Sequence, residues 1–475
     1  GAEAPMLATI IRKEFTEMWR DGRVRSAAIA LLALLTGALL YGRAQTRALA
    51  AERTAAAQAA RADWLAQPAK NPHSAAHYGI YAFKPRATLA TLDDGVDPYA
   101  GMLTWLEAHK RNEFAYRPAQ DATGAQRAGA LTAATTLQLL VPLLIVVLAA
   151  GSFAGEREAG TLRQLLALGV PARTLGAGKA LGTAAALGVV LVPAAVLGVL
   201  AIVGLGGDVA HDLPRVAVLV GAYLLYFLAW LGVVLAISAR AETTRVALAG
   251  ALGVWMLTTV LAPRVVTELA RALHPTPSAA TFAAAMRTDL EKGFDGHAGQ
   301  VEAMRAFERR VLAQYRVDSV SQLPVSFAGL ALEEDERVSS VVYDRHHGRL
   351  WNGYAAQDRV RAWSALVAPV LAVRALSMGL AGTDVAHHRA FADSAEAYRR
   401  RLVGAMNRDM ARNAVGVDYE YEATPALWAS IGAFDFEAPP LGATLAVHRE
   451  ALGLLGWWGL VGVLLVAGAA ARVRP

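Results

Sequence analysis

The chain contains no cysteine, which excludes disulfides, thiolate metal sites and cysteine nucleophiles. Charge is scarce as well: 18% of its 475 residues are Asp, Glu, Lys or Arg, against about 25% in an ordinary soluble domain. Lysine is scarcer still, with six residues beside forty arginines. No phosphate loop is present. Its nearest approach, Gly176-Ala177-Gly178-Lys179-Ala180, has Arg173 where the leading glycine belongs and no Ser or Thr after the lysine. The chain is therefore expected to bind no nucleotide or other cofactor itself. HExxH and GxSxG are both missing, which removes the simplest routes to a zinc protease or a serine hydrolase. The adjacent pairs His346-His347 and His387-His388 would point about 100° apart on a helix, so neither makes a bidentate metal site alone; with Asp344 or Asp384 they could assemble one in three dimensions, but hydrogen-bonded histidines are the default and no metal is expected.

What the chain has in abundance is apolar sequence. Hydrophobic residues make up 55% of it, and the mean hydropathy is +0.34. Six runs without a charged side chain occupy residues 26–42, 131–154, 181–205, 216–239, 246–263 and 451–471. A hydrocarbon core of about 30 Å needs about 20 such residues, so these runs are expected to be six transmembrane helices. The net charge of +6 does not indicate nucleic acid, because the basic residues flank the runs instead of lining one soluble face.

Short loops set the expected orientation. Arg12, Lys13, Arg20, Arg23 and Arg25 precede the first run; Arg157, Arg163, Arg173 and Lys179 lie between the second and third. Arg240 and Arg245 lie between the fourth and fifth, and Arg472 and Arg474 follow the sixth. The loop 206–215 holds only Arg215. The positive-inside rule then places both termini in the cytoplasm and both long segments, 43–130 and 264–450, outside. They are expected to pack together as one mostly helical extracytoplasmic domain. A seventh apolar stretch, 362–373, is too short to span and stops at Arg374; it is expected in that outer domain.

Before the first run, Leu7, Ile10, Ile11, Phe15, Met18 and Trp19 recur at helical spacing, with Arg12, Lys13, Glu14 and Glu17 opposite. Residues 6–25 are thus expected to form an amphipathic interfacial helix with its apolar face in lipid. In the insertions, 43–67 reads as a helical continuation of the first span ended by Pro68, and 102–111 as a short helix. Residues 301–315, 333–343 and 384–411 read as helices, the last with Thr383 as N-cap. Around 417–436, Tyr419, Tyr421, Phe434 and Phe436 among acidic residues suggest short extended segments. The fold class expected is an all-α polytopic membrane protein with a minor β component.

The loop 155–180 is the most distinctive stretch: Gly155-Glu156-Arg157-Glu158-Ala159-Gly160-Thr161-Leu162-Arg163-Gln164-Leu165-Leu166, then Gly169-Val170-Pro171, then Gly178-Lys179. As one helix, Glu156 to Leu166 would place Glu156 and Glu158 in the first turn, where acids complement the dipole. Leu162, Leu165 and Leu166 would form one apolar face, with Arg163 beside it.

This stretch resembles the cytoplasmic loop of ABC-2-type permeases, the membrane subunits of ATP-binding-cassette exporters. The amphipathic leading helix and the six-span order are similar too. The resemblance implies alternating access driven by separate ATPase subunits, which would hold the ATP and magnesium. Glu156, Arg157, Glu158, Gly160, Thr161, Leu162, Arg163, Leu165 and Leu166 would carry force from those ATPases. A second permease chain, identical or paralogous, would complete the path through a bacterial inner membrane. Further stretches look like a subfamily with large insertions after spans one and five: His77-Tyr78-Gly79, Phe83-Lys84-Pro85, Leu106-Glu107-Ala108-His109 and Gly382-Thr383-Asp384 with Phe391. Simple members have instead a short first outer loop and a small re-entrant hairpin before the last span. Two other functions fit the residues: a mechanotransmitting complex acting on a periplasmic partner without moving substrate, and a membrane-anchored extracytoplasmic enzyme.

Overall fold

The apolar runs all lie on helices, and most of those helices extend well beyond them. The computed structural model of the protein describes residues 3–123, 131–292 and 300–471. Helix α1 (Glu3–Arg20) stops at Asp21, and α2 (Gly22–Leu65) runs unbroken through the first span into the first insertion. Its alanine-rich second half needs no apolar stripe to stay helical, since alanine has the highest helix propensity. The first insertion continues with α3 (Pro72–Tyr78) and the strands β1 (Ile80–Phe83), β2 (Leu103–Glu107) and β3 (Lys110–Arg111). Then come α4 (Ala133–Ala149), α5 (Gly151–Glu158), the short α6 (Thr161–Ala167), α7 (Ala172–Val203), α8 (Val209–Arg240) and α9 (Thr244–Trp255). A π-helical stretch, Met256–Leu261, joins α9 to α10 (Ala262–Leu273). The second insertion holds α11 (Ala279–Lys292), α12 (Gln300–Tyr315), α13 (Phe327–Ser364), α14 (Pro369–Ala381), α15 (Val385–Asn413), α16 (Pro425–Ser430) and α17 (Leu441–Val447), and α18 (Arg449–Ala471) follows.

Among the described residues, six helical stretches are long and apolar enough to cross a membrane: Val24–Leu65, Ala133–Glu158, Ala172–Val203, Val209–Arg240, Thr244–Leu273 and Arg449–Ala471. The basic residues expected after the last, Arg472 and Arg474, lie outside the described residues. Helices α4 and α8 form the centre of the bundle, with Val141, Ile145, Val234 and Leu235 fully buried. Pro142 removes a donor from α4 and frees the carbonyl of Gln138; the Tyr226 hydroxyl on α8 donates to it at 2.9 Å. Where α8 crosses α18, Gly232 faces Gly462 so closely that a Cβ on Gly232 would lie 2.4 Å from the Gly462 carbonyl oxygen. Small residues at such a crossing let two backbones touch, which is how helices gain packing energy in lipid.

The two insertions share one core. Trp64 and Trp428, both fully buried, donate reciprocally to the carbonyls of Trp428 and Gln67 at 3.0 and 3.1 Å. Around them pack Ile80 and Leu106 from the first insertion and Phe391, Leu402 and Met406 from the second. Residues 102–111, expected to be helical, form instead the β2–β3 hairpin of an antiparallel sheet in the order β1-β2-β3. The run Leu-Thr-Trp-Leu-Glu buries alternate residues, Thr104 and Leu106, in a period of two that a helix cannot satisfy. The extended segments expected over 417–436 are also largely absent. A 3-10 turn at Asp418–Glu420 and α16 occupy the stretch, and Ala423 makes an isolated bridge with Lys70. Its aromatics serve packing: Phe434 and Phe436 set their rings against Phe391, and Phe434 against Tyr398. The cap of α15 is Asp384, which accepts from the His387 amide at 2.8 Å; Thr383 donates to the Asp93 carbonyl.

The stretch 362–373 is not part of the outer domain. The end of α13 turns through Ala365–Ala368 into α14, and Ala365, Ala368, Val370, Leu371, Val373 and Leu376 join the core of the membrane helices. Trp458 on α18 donates to the Ala365 carbonyl at 2.7 Å, so the turn sits nine residues, roughly 14 Å, along α18 from Arg449. A helical hairpin packed among the apolar helices therefore precedes the last candidate span, and the second insertion is built out from it. Its polar residues are paired inside the bundle. Gln138 donates to Tyr223, Tyr223 to Ser377 and Ser377 to Asp93, while Arg374 donates to Gln138.

Candidate coupling site

The expected single helix from Glu156 to Leu166 is two helices. Gly160, at φ +75°, breaks the chain between α5 and α6, a conformation that favours glycine. Glu156, Arg157 and Glu158 therefore occupy the last turn of α5, and the acids face away from any first-turn role. Each has an internal task. Arg157 donates through Nη1 to the Ala241 carbonyl at 2.7 Å and through Nη2 to the Ala239 carbonyl at 2.9 Å. These are orphan carbonyls at the C-terminus of α8, where a cation is favoured. Glu158 accepts from the amide of Thr244 at 3.1 Å, at the start of α9, where a carboxylate is favoured. Two consecutive side chains thus clasp the α8–α9 turn to the end of α5.

Glu156 turns the other way. Its Oε1 lies 2.6 Å from Lys13 Nζ and 3.0 Å from Lys179 Nζ, and Lys179 Nζ lies 2.7 Å from Glu14 Oε1. Lys13 also reaches Glu14 and Glu17 at 3.2 Å. Lys13, Glu14, Glu156 and Lys179 make a charge-balanced network joining α1, α5 and α7. Lys179 is completely buried, with the Phe153 ring 5.5 Å from its ammonium, and so is no boundary lysine reaching for water. Burial works against the charge on Lys13, but Glu156, Glu14 and Glu17 outweigh it and hold the ammonium above its ordinary range.

The network exists because α1 lies directly on α7. A Cβ on Gly178 would fall 2.4 Å from Ile10, and one on Gly182 would fall 2.6 Å from Glu14, so only glycine admits this approach. The buried stripe of α1 is Ile10, Glu14 and Met18, one residue per turn. Glu14 therefore sits on the inward face and not on the solvent face expected for it. The signal was available: the residues four before and four after Glu14 are Ile10 and Met18, so a carboxylate in that row needs a buried partner.

In α6, Leu162 is buried and Leu165 and Leu166 are half-buried, all three against the core of the membrane helices. The apolar face formed by these three leucines is thus turned into the chain itself. The outward surface of this loop offers Thr161, Arg163, Gln164, Ala167 and Leu168, the last 80% exposed. Among these, Arg163 is the one basic side chain and Leu168 the one large apolar one. The ABC-2 family transporter protein model covers residues 8–305, more than half of the chain. The chain belongs to the ABC-2 family of transporter proteins. A domain of unknown function, DUF3526, matches residues 279–437, most of the second insertion. No curated protein matches the chain.

Each adjacent histidine pair of this permease has one member engaged by a carboxylate. His346 lies 2.8 Å from Asp289, and His387 2.6 Å from Asp384, which also meets His448 at 2.6 Å. Their neighbours His347 and His388 line a cavity of about 470 Å³ between the two insertions, with Phe114, Arg117, Phe282 and Trp351. Burial, with Arg111 next, pushes His347 down to about 4, and burial, with Lys84 and Arg117, pushes His388 down to about 3.

Proposed function

We propose that this permease is the transmembrane subunit of an ATP-driven exporter, coupled through α6 to a separate ATPase that binds the nucleotide and magnesium. It would sit in a bacterial inner membrane with both termini cytoplasmic, the insertion domain outside, and a second permease chain, identical or paralogous, beside it. The observation that carries the reading is the wiring of α5. Its last turn holds the end of α8, the start of α9, α1 and α7 through charged groups, while α6 projects just beyond it. A push on α6 is thus delivered to several helices at once, as a rigid-body movement requires. The exposed Arg163 and Leu168 fit an ATPase groove that has a carboxylate and an apolar floor.

The test is Leu168→Asp in the permease co-expressed with its ATPase subunit. Losing an interface anchor costs about 2 kcal/mol, roughly a thirtyfold weakening. The expected result is release of the ATPase in pull-down, with the permease still folded in the membrane. Full retention of the ATPase by Leu168→Asp and by Arg163→Glu would refute α6 as the docking element.

A second reading, mechanotransmission to a periplasmic partner without movement of substrate, is favoured by the continuity of α13 from the insertion domain into the helical hairpin. ATP-dependent appearance of a cargo across proteoliposomes separates the two.

A further inference from the structure

Three histidines that the coupling mechanism does not use converge in the first insertion. His73 and His77 are one turn apart on α3, with their Nε2 atoms 3.1 Å from each other. His109 arrives from the β2–β3 turn, and its ring centroid lies 5.1 and 5.3 Å from those of His73 and His77. One ring nitrogen from each of the three lies within 4.8 Å of the others. We propose that His73, His77 and His109 form a binding site for one divalent transition-metal ion of the zinc type, with a fourth position open to solvent.

The spacing suits the ion. A tetrahedral zinc with metal–nitrogen distances of about 2.0–2.1 Å sets its ligand nitrogens about 3.3 Å apart. The His73–His77 pair, at 3.1 Å, is close to that separation, and the third nitrogen, within 4.8 Å of both, needs an approach of up to about 1.5 Å. An all-imidazole set favours zinc, copper or nickel over magnesium or calcium, which take oxygen ligands. His77 is exposed, so an ion reaches the site from solvent.

The third ligand is held in place by three residues of α13. His109 has φ +62°, a left-handed conformation uncommon for a residue with a side chain. Glu336 accepts from its amide and the Tyr343 hydroxyl donates to its carbonyl, both at 2.5 Å. The Asp335 carboxylate lies 3.0 Å from His109 Nδ1. That carboxylate stands beside Nδ1 at ion-pair distance, placed to hold a proton there when an ion binds at Nε2, as carboxylates orient metal-binding histidines. Asp335, Glu336 and Tyr343 all belong to α13, so a bound ion ties α3 and the hairpin turn of the first insertion to the second.

The experiment uses the full chain, purified without a polyhistidine tag and stripped with chelator. Zinc is titrated against a chromophoric competitor, and cobalt is used as a spectroscopic probe. The expected result is one zinc per chain and the intense visible absorption of tetrahedral cobalt. His77→Ala, an exposed change, should weaken zinc by more than ~100-fold, and Asp335→Asn by about 10–100-fold. His346→Ala, outside the cluster, should leave affinity unchanged. Equal zinc affinity in wild type, His77→Ala and His73→Gln would overturn the site, showing three packed rings and nothing more. So would a cobalt spectrum of purely octahedral form. Metal-free melting of each variant, matched to metal-free wild type, keeps loss of binding distinct from loss of fold.

Discussion

Replacing Lys179 by Met is the sharpest probe of the network under α1. The side chain is 1% exposed, and Met keeps its length while removing the charge. Glu14 and Glu156, whose side chains are 6% and 11% exposed, then share only Lys13, itself 39% exposed. Removing one partner from a buried ion pair costs about 3–5 kcal/mol, because the remaining charge is left uncompensated. Lys13 can still reach both carboxylates, so the lower end, about 3 kcal/mol, applies. With on the order of 2 °C for each kcal/mol in a large chain, the unfolding midpoint in nanodiscs should fall by roughly 6 °C. Glu14→Gln alone should cost a similar amount. The double variant Lys179→Met with Glu14→Gln leaves Lys13 and Glu156 as a balanced pair, so its loss should be smaller than the sum by about 1–3 kcal/mol. Tryptophan fluorescence during thermal unfolding of all four proteins closes the cycle. Strict additivity of the two single losses would show that these groups are independent and that α1 is held to α7 by its apolar contacts alone.

Two further outcomes follow from the same structure. His347 and His388 are neutral when folded and titrate near 4 and 3, whereas their unfolded counterparts gain protons as pH falls through about 6.5. Stability from both is complete above that pH and is lost as pH drops toward 4, by about 2 kcal/mol for each by pH 5. The insertion domain should therefore melt earlier at pH 5 than at pH 7.5, and a pH dependence unchanged in His347→Phe with His388→Phe would refute this origin. For topology, Ala59→Cys and Ala284→Cys place single thiols at exposed positions in the two insertions of a cysteine-free chain. Both should react with an impermeant reagent in intact spheroplasts, and protection of either until lysis would reverse the orientation.

The spans were legible because an uncharged run of about twenty residues has few other fates. The hairpin at β2–β3 was not: ten mixed residues fit a helix or two short strands, and Thr104 and Trp105 were the only β-forming signal. Helix α14 was missed for a tertiary reason. An apolar run of twelve residues serves equally as a core, interfacial or re-entrant helix, and only its packing against α8 and α18 decides. The loop 155–180 was recognised as a unit, but the inward turn of Leu162 and the engagement of Glu156 depend on α1 and α7, which lie far away in sequence. His73 and His77 were one helical turn apart on the page. The arrival of His109 beside them depends on the turn of a hairpin whose sequence fits a helix equally well.

Helix α13 has 38 residues and α2 has 44, which makes them about 57 and 66 Å long. Each is a single rod with one end among the membrane helices and the other in the insertion domain, and the paired tryptophans bind the outer assembly together. A tilt of about 5° at the Ala365 end carries the Ser326 end of α13 through about 5 Å. The insertion domain is packed on both rods, so a small displacement at their inner ends would be enlarged at the outer ones.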